Sequence, residues 1–204
     1  GSLTDVTFDV FASEDIQAAD GVSEDYFKAD EKVGTITTDS NGIAQMDNLP
    51  AGKYYVKEVK TAHGYVLDGE PRYVDLSYRD QDTPVITYDE KWQNTRQKVK
   101  VTVLKKEKDT DRVLAGGVFG LYTSEDIKNV NGDVLLEKDS LIEQKATDEK
   151  GQITFAADLP VDGKYYVKEN SAPDGFVTTE EVQEFTFEYA REDQAEVSYD
   201  FTFE

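Results

Sequence analysis

The 204-residue sequence has no cysteine, one histidine, one tryptophan and five prolines. Without cysteine, disulfides and thiolate metal sites are excluded. A catalytic triad or a zinc site built on histidine would rest on His63 alone, in a turn, and both are set aside. No apolar run approaches the ~20 residues of a membrane-spanning helix, and no secretory leader is visible. Positive charge is also scarce. There are 22 basic against 43 acidic residues, a formal net charge of −21. That balance argues against nucleic acid or an anionic membrane as partner, since both need a basic footprint. It reads as a solubilising surface. The opening Gly1-Ser2 resembles a cloning remnant, so the chain is expected to be an excised fragment whose targeting signals lie outside it.

What is present is a long internal repeat. Lys53-Tyr54-Tyr55-Val56-Lys57-Glu58 recurs as Lys164-Tyr165-Tyr166-Val167-Lys168-Glu169, with Leu49-Pro50 and Leu159-Pro160 ahead of the two copies. Leu3 and Leu114, Phe8 and Phe119, Glu58 and Glu169, and Asp82 and Asp193 keep an offset of 111 residues, which falls to 109 at Gly42 and Gly151. A period this long means tandem whole domains. The expected domains are 1–96 and 97–204, joined near Thr95-Arg96-Gln97 by a short linker without a flexible tract.

Each copy reads as short strands with turn signals between them. In the first, Val6–Phe11 alternates, Ser13-Glu14-Asp15-Ile16 suits a short helical turn, and Asn41-Gly42 marks a hairpin between strands at Thr35–Thr38 and Ile43–Met46. Ser124-Glu125-Asp126-Ile127 mirrors the helical turn. Strands at 72–76 and 85–88 close the first copy, and strands at 184–187 and 197–201 close the second. Little helix and many short strands predict an all-β fold, two tandem β-sandwich domains.

Alternation places Tyr54, Val56 and Glu58 on one strand face, and Tyr165, Val167 and Glu169 likewise. If that face is the core, each copy buries a carboxylate, which is costly without a partner. The second copy begins with a strand, Lys100–Lys105, that has no counterpart before Leu3. Lys105 shares a face with Val101 and Val103; taken alone it also reads as a strand-end lysine that snorkels to water. Asn94 shares parity with Ile86, Tyr88 and Trp92; taken alone it also reads as a turn residue.

Taken together, these residues resemble the collagen-adhesin B-type (Cna B, SpaA-like, prealbumin-like) domains of Gram-positive surface proteins. The resemblance is carried by Lys105, Leu114-Ala115-Gly116-Gly117-Val118-Phe119, Thr147-Asp148-Glu149-Lys150-Gly151, and Tyr166-Val167-Lys168-Glu169-Asn170-Ser171-Ala172-Pro173-Asp174-Gly175-Phe176. The first copy matches the last stretch as Tyr55–Tyr65, with His63 where the family usually has an acidic or polar residue. The resemblance implies immunoglobulin-like or prealbumin-like sandwiches. It also implies an internal isopeptide bond between a first-strand lysine and a last-strand asparagine or aspartate, with the glutamate relaying protons. Burial favours the neutral amine and the neutral acid, and packing supplies proximity. Such a bond would serve in place of disulfides. The implied site residues are Glu58 and Glu169 as proton relays, with Lys105 and Asn94 as cross-link groups.

The two copies depart from the family pattern in complementary ways. The first lacks its N-terminal strand and hence the lysine that Glu58 and Asn94 need. The second has Lys105 and Glu169, but its asparagine falls at position 205, one past Glu204. Asp200 sits on the opposite parity from Tyr199 and Phe201. Neither copy is expected to complete the triad within this sequence, and the missing partners of Lys105 and Asn94 are expected outside it. The first copy should also expose a sheet edge open to strand-edge self-association.

The resemblance implies stalk or backbone domains of an extracellular, cell-wall-anchored adhesin or pilin-like protein, with no enzymatic turnover. Their neighbours would be other domains of the same surface protein. The alternative is a module binding glycan or host matrix protein through Tyr54, Tyr55, Tyr165 and Tyr166, which at strand spacing read as packing residues. A hydrolase has no acid–base pair beyond the two glutamates, one per domain. No cofactor is implied. Asp109-Thr110-Asp111 and Asp80-Gln81-Asp82 lack the ligand spacing of a dedicated calcium loop, so no metal site is expected.

Overall fold

The structure, a computed structural model, describes all residues except 1, 2, 19, 81, 83, 84 and 130. Gly1, Ser2 and Gln81 of the sequence reading therefore lie outside the described residues. The chain divides into two compact units, Gly1–Arg96 and Gln97–Glu204. The described residues contain strands and turns and no helix, and the fold is all-β.

Unit 2 is a sandwich. One sheet has the order β10 (Gln152–Phe155), β5 (Lys98–Lys105), β13 (Glu196–Phe203). The other has the order β12 (Val182–Thr186), β11 (Lys164–Ser171), β6 (Val118–Thr123), β9 (Leu141–Ala146). A two-stranded ribbon, β7 (Ile127–Lys128) with β8 (Val134–Leu136), stands apart. Period-2 alternation along each strand sends one set of side chains between the sheets. Val101, Val103, Phe119, Leu121, Tyr165, Val167 and Phe203 are buried there together. Burying an apolar side chain of this size stabilises by about 1.5–3 kcal/mol.

The central strand of the first sheet is β5. It runs antiparallel to β10 (Val103 opposite Ile153) and parallel to β13 (Lys105 opposite Phe203). Its entry is pinned by Gln97, which is buried, donates Nε2 to the carbonyls of Arg191 and Gln194 (3.2 and 2.7 Å) and accepts from the Ala190 N–H (3.0 Å).

Unit 1 repeats one of these two sheets. It has the order β2 (Lys32–Thr37), β1 (Thr7–Ala12), β3 (Lys53–Lys60), β4 (Arg72–Asp75), matching β9, β6, β11 and β12. Its core of Val10, Ala12, Ile16 and Tyr54 is smaller. The other sheet is not formed, which corrects two expectations. The Asp39–Gly42 turn closes, with Gly42 N–H on the Asp39 carbonyl at 3.0 Å, but Ile43–Met46 is not a strand. Nor is Val85–Tyr88. The reason is topological: in unit 2 the counterparts, β10 and β13, pair only with β5. Without a strand in that place, both neighbours lose their ladder partner.

The helical turns at Ser13 and Ser124 are a second correction. Ser13 and Ser124 donate their N–H groups to the Lys53 and Lys164 carbonyls of the adjacent strands (2.9 and 2.8 Å). Asp15 and Asp126, expected at a helix start, instead accept from the Ala29 and Lys138 N–H groups (2.8 and 2.9 Å). Buried Ile16 bridges Phe27, and Ile127 opens β7. Cross-strand partners outcompete local helical bonding here.

The paired tyrosines divide as the alternation requires. Tyr54 and Tyr165 are buried and donate their hydroxyls to the Pro50 and Pro160 carbonyls (2.5 and 2.9 Å). Tyr55 and Tyr166 lie on the outer face, stacked on Phe11 and Tyr122 with ring centroids 4.9 and 5.1 Å apart. Burial pushes the Tyr54 phenol from 10.0 up to about 12, and the Tyr165 phenol up further. The folded units hold the neutral phenols. That contribution is complete below pH 10 and is lost as pH climbs through the raised values. In an alkaline titration, phenolate absorbance from Tyr54 and Tyr165 should rise last, together with loss of the β-sheet circular dichroism signal. Ionisation of all 12 tyrosines with the β signal intact would contradict this.

Candidate functional site

The two glutamates predicted to face the core do so: Glu58 is 1 % exposed and Glu169 is 4 %. Each sits directly across from a phenylalanine of the neighbouring strand, Glu58 opposite Phe8 and Glu169 opposite Phe119. The strand bulges immediately beyond each glutamate. Lys60 pairs with Thr7 and Ser171 with Val118, leaving Val59 and Asn170 as the extra residues. A bulge bends the strand and re-aims the side chains beside it, so both copies carry the same local device next to the same acid.

In unit 2 the partner of Glu169 is Lys105, and the alternative of a lysine reaching water does not hold. Lys105 is 3 % exposed, and its Nζ lies 3.3 Å from Glu169 Oε1 and 3.4 Å from Oε2. Glu169 Oε2 also accepts the Thr179 N–H at 2.8 Å. In unit 1 the partner of Glu58 is Asn94. Its Nδ2 donates to Glu58 Oε1 and Oε2 (2.6 and 2.9 Å) and to Thr61 Oγ1 (3.1 Å). Glu58 Oε2 accepts the Asp68 N–H at 2.9 Å. Asp68 and Thr179 stand at the same 111-residue offset as the glutamates, so one backbone donor serves the carboxyl group in both copies. No side-chain pattern signals a backbone donor ten residues away, and sequence reasoning missed it.

The structure thus brings Lys105 to Glu169, and Asn94 to Glu58. Asp200 is exposed on the outer face of β13, as its parity requires. Two other stretches singled out in the sequence support the lysine. Thr147 donates Oγ1 to the Leu114 carbonyl (2.8 Å) and accepts the Gly117 N–H (3.0 Å). Gly151 has φ +69, and a Cβ there would lie 2.7 Å from the Lys105 carbonyl oxygen and 2.9 Å from Val113 Cβ. The carbonyl of Gly151 accepts the Lys105 N–H at 2.8 Å. Only glycine combines that conformation with that approach.

Asn94 is held by contacts absent from the sequence reading. The Arg72 guanidinium lies 3.9 Å over the Trp92 ring and donates to the Lys91 carbonyl (2.8 Å) and to Glu90 (2.9 Å). Trp92 packs edge-on to Phe8 at 4.8 Å, as Phe203 packs on Phe119 at 5.0 Å in unit 2. Gln183, the counterpart of Arg72, makes the matching bond to the Thr202 carbonyl (3.1 Å). Val66 N–H reaches the Thr95 carbonyl at 2.8 Å. The segment that carries Asn94 therefore keeps its place without the strand that pairs its counterpart.

Comparison with known proteins agrees with this geometry. The sequence matches the SpaA family, described as a prealbumin-like fold domain, over residues 1–92 and 99–202. No curated protein sequence matches. Among solved structures, the Bacillus anthracis TIE protein is 26% identical with a TM-score of 0.64; the match covers 98% of this chain and 30% of that one, so the chain spans less than a third of that relative. The shaft pilin SpaA from Lactobacillus rhamnosus GG is 17% identical over 98% of this chain and 87% of its own, with a TM-score of 0.34. The full-length major pilin SpaD from Corynebacterium diphtheriae is 15% identical over 98% and 93%, with a TM-score of 0.35. With the family matched across both halves, the chain belongs to the SpaA prealbumin-like fold domain family, in two tandem copies.

Proposed function

We propose that the chain is a stalk or backbone segment of an extracellular, cell-wall-anchored adhesin or pilin-like protein, made of domains 1–96 and 97–204 that are built to be locked by Lys–Asn isopeptide bonds. The observation that carries the reading is the pair of buried half-sites at one place in the repeat: amine with acid in unit 2 (3.3 Å), and carboxamide with acid in unit 1 (2.6 Å). Overlaid at the 111-residue offset, they supply all three groups of the cross-link.

The roles follow from the contacts. Lys105 Nζ is the nucleophile once neutral. Asn94 offers the electrophilic carbon, and its Nδ2, the leaving nitrogen, already rests on Glu58. Glu58 and Glu169 carry the proton from the attacking amine to the departing ammonia. One bond forms and one ammonia leaves, so each domain reacts once and there is no turnover. Resistance to pulling and to proteolysis is the benefit to a projecting surface protein. Other domains of that protein are its expected neighbours. A module that binds glycan or host matrix protein remains the alternative; the outward stacks of Phe11 on Tyr55 and Tyr122 on Tyr166 favour it only weakly, because each ring already has a partner.

Because neither unit holds all three groups, residues 1–204 should show an intact mass equal to the mass calculated from sequence. A deficit of one ammonia or one water would mean that a bond forms by a pairing other than the one described.

A further inference from the structure

In unit 2 the place between β10 and β13 is filled by β5, which supplies apolar side chains at alternate positions and ends on Lys105. In unit 1 the two flanks of that place are present and the middle is not. Ala44 and Met46 are partly exposed where Ile153 and Phe155 are buried, while Ile43, Val85 and Tyr88 are 60, 75 and 46 % exposed. The far flank has not drifted, because Arg72, Trp92 and Val66 hold residues 90–96. At the end of the gap, buried Glu58 and Asn94 are already hydrogen-bonded, at the position where Lys105 meets Glu169 in the other copy.

The repeat also specifies the occupant. Read from β5, it is an extended segment of about eight residues, antiparallel to the 44–46 flank and parallel to 85–92, with a lysine at its last inward position. Charge agrees. Residues 1–96 contain 19 acidic and 9 basic residues, net −10, whereas Lys98–Lys105 carries three lysines and no acid. Among the described residues, β5 is the one strand of this pattern, and it is the centre of unit 2's own sheet.

We propose that unit 1 is an acceptor for a lysine-bearing β-strand from a separate polypeptide, and that it bonds that strand covalently through Asn94. Strand addition to an open sheet gives the affinity through main-chain hydrogen bonds, and the alternating pockets give the register. The incoming neutral amine attacks Asn94 Cγ. A C–N bond to the lysine forms and the Cγ–Nδ2 bond breaks. The former amide nitrogen leaves as ammonia, taking a proton that Glu58 relays from the attacking amine. No oxidant or further reactant is needed. The covalent step rests on the isopeptide reading above; the docking step does not.

The test uses the 204-residue chain and two synthetic peptides with the sequence of residues 98–106, one intact and one with alanine in place of the lysine at its eighth position. Both peptides should bind saturably by fluorescence anisotropy. Only the intact peptide should give a product whose mass is protein plus peptide minus one ammonia, with fragmentation placing the bond on Asn94. Glu58→Gln should slow bonding roughly 10²–10⁴-fold, the usual worth of a positioned acid–base group. The alanine peptide serves as the control that requires no folded variant. Failure of both peptides to bind overturns the proposal. Binding without bond formation overturns its covalent half. The isopeptide reading falls with it only if a chain supplied with an asparagine in unit 2 also stays unbonded.

Discussion

Adding Asn-Thr-Arg after Glu204, copied from Asn94-Thr95-Arg96, should raise the thermal unfolding midpoint of unit 2 by roughly 20–35 °C. The position follows from register. β13 runs parallel to β5, with Phe203 opposite Lys105 and fully buried. The next inward residue after Phe203 is therefore at position 205, as Asn94 follows Trp92 in unit 1. There the carboxamide would meet the Lys105–Glu169 pair. A cross-link closing a loop of ~100 residues stabilises by about 4.7 kcal/mol on the chain-entropy estimate for covalent staples. Each kcal/mol moves the midpoint of a domain this size by about 4–8 °C. The same extension with Glu169→Gln should gain little. Differential scanning calorimetry of the two extended chains and the original checks this, and a gain independent of Glu169 would contradict it.

The second large effect concerns the amine–acid pair as it stands. Lys105→Ala should destabilise unit 2 by about 3–5 kcal/mol, because it leaves a buried acid without its partner. Lys105→Met combined with Glu169→Leu removes both groups at similar volume and should be neutral or stabilising by about 1–4 kcal/mol. Urea denaturation followed by circular dichroism measures both. A single variant indistinguishable from the parent would show that Lys105 and Glu169 do not depend on each other. The pair is thus a liability for stability alone. Its burial makes sense as chemistry held ready.

The parts of the account legible in the sequence were those set by alternation. Parity sent Tyr54, Glu58, Val101, Val103 and Lys105 inward and Asp200 outward, and the repeat made each assignment twice. What the sequence could not show was set by partners distant in the chain. Ile43–Met46 and Val85–Tyr88 have strand-like composition, yet they lack ladders because the strand between them is missing. Ser13 and Ser124 look like helix starts, yet their N–H groups go to the adjacent strand. The Asp68 and Thr179 backbone donors, the bulges at Val59 and Asn170, and the Arg72–Trp92 contact that keeps Asn94 in place all need the third dimension. Asn94 and Lys105 were each ambiguous alone, since a turn asparagine and a snorkelling lysine are common. They became informative when read against Glu58 and Glu169.

The most direct test of the central claim, that these buried half-sites are isopeptide machinery, is the intact mass of the folded chain extended by Asn-Thr-Arg. The prediction is a mass one ammonia below the calculated value, with proteolytic fragments joining Lys105 to the added asparagine, and the full calculated mass for its Glu169→Gln counterpart. The full calculated mass in the extended chain, with its β-sheet signal intact, would contradict the account.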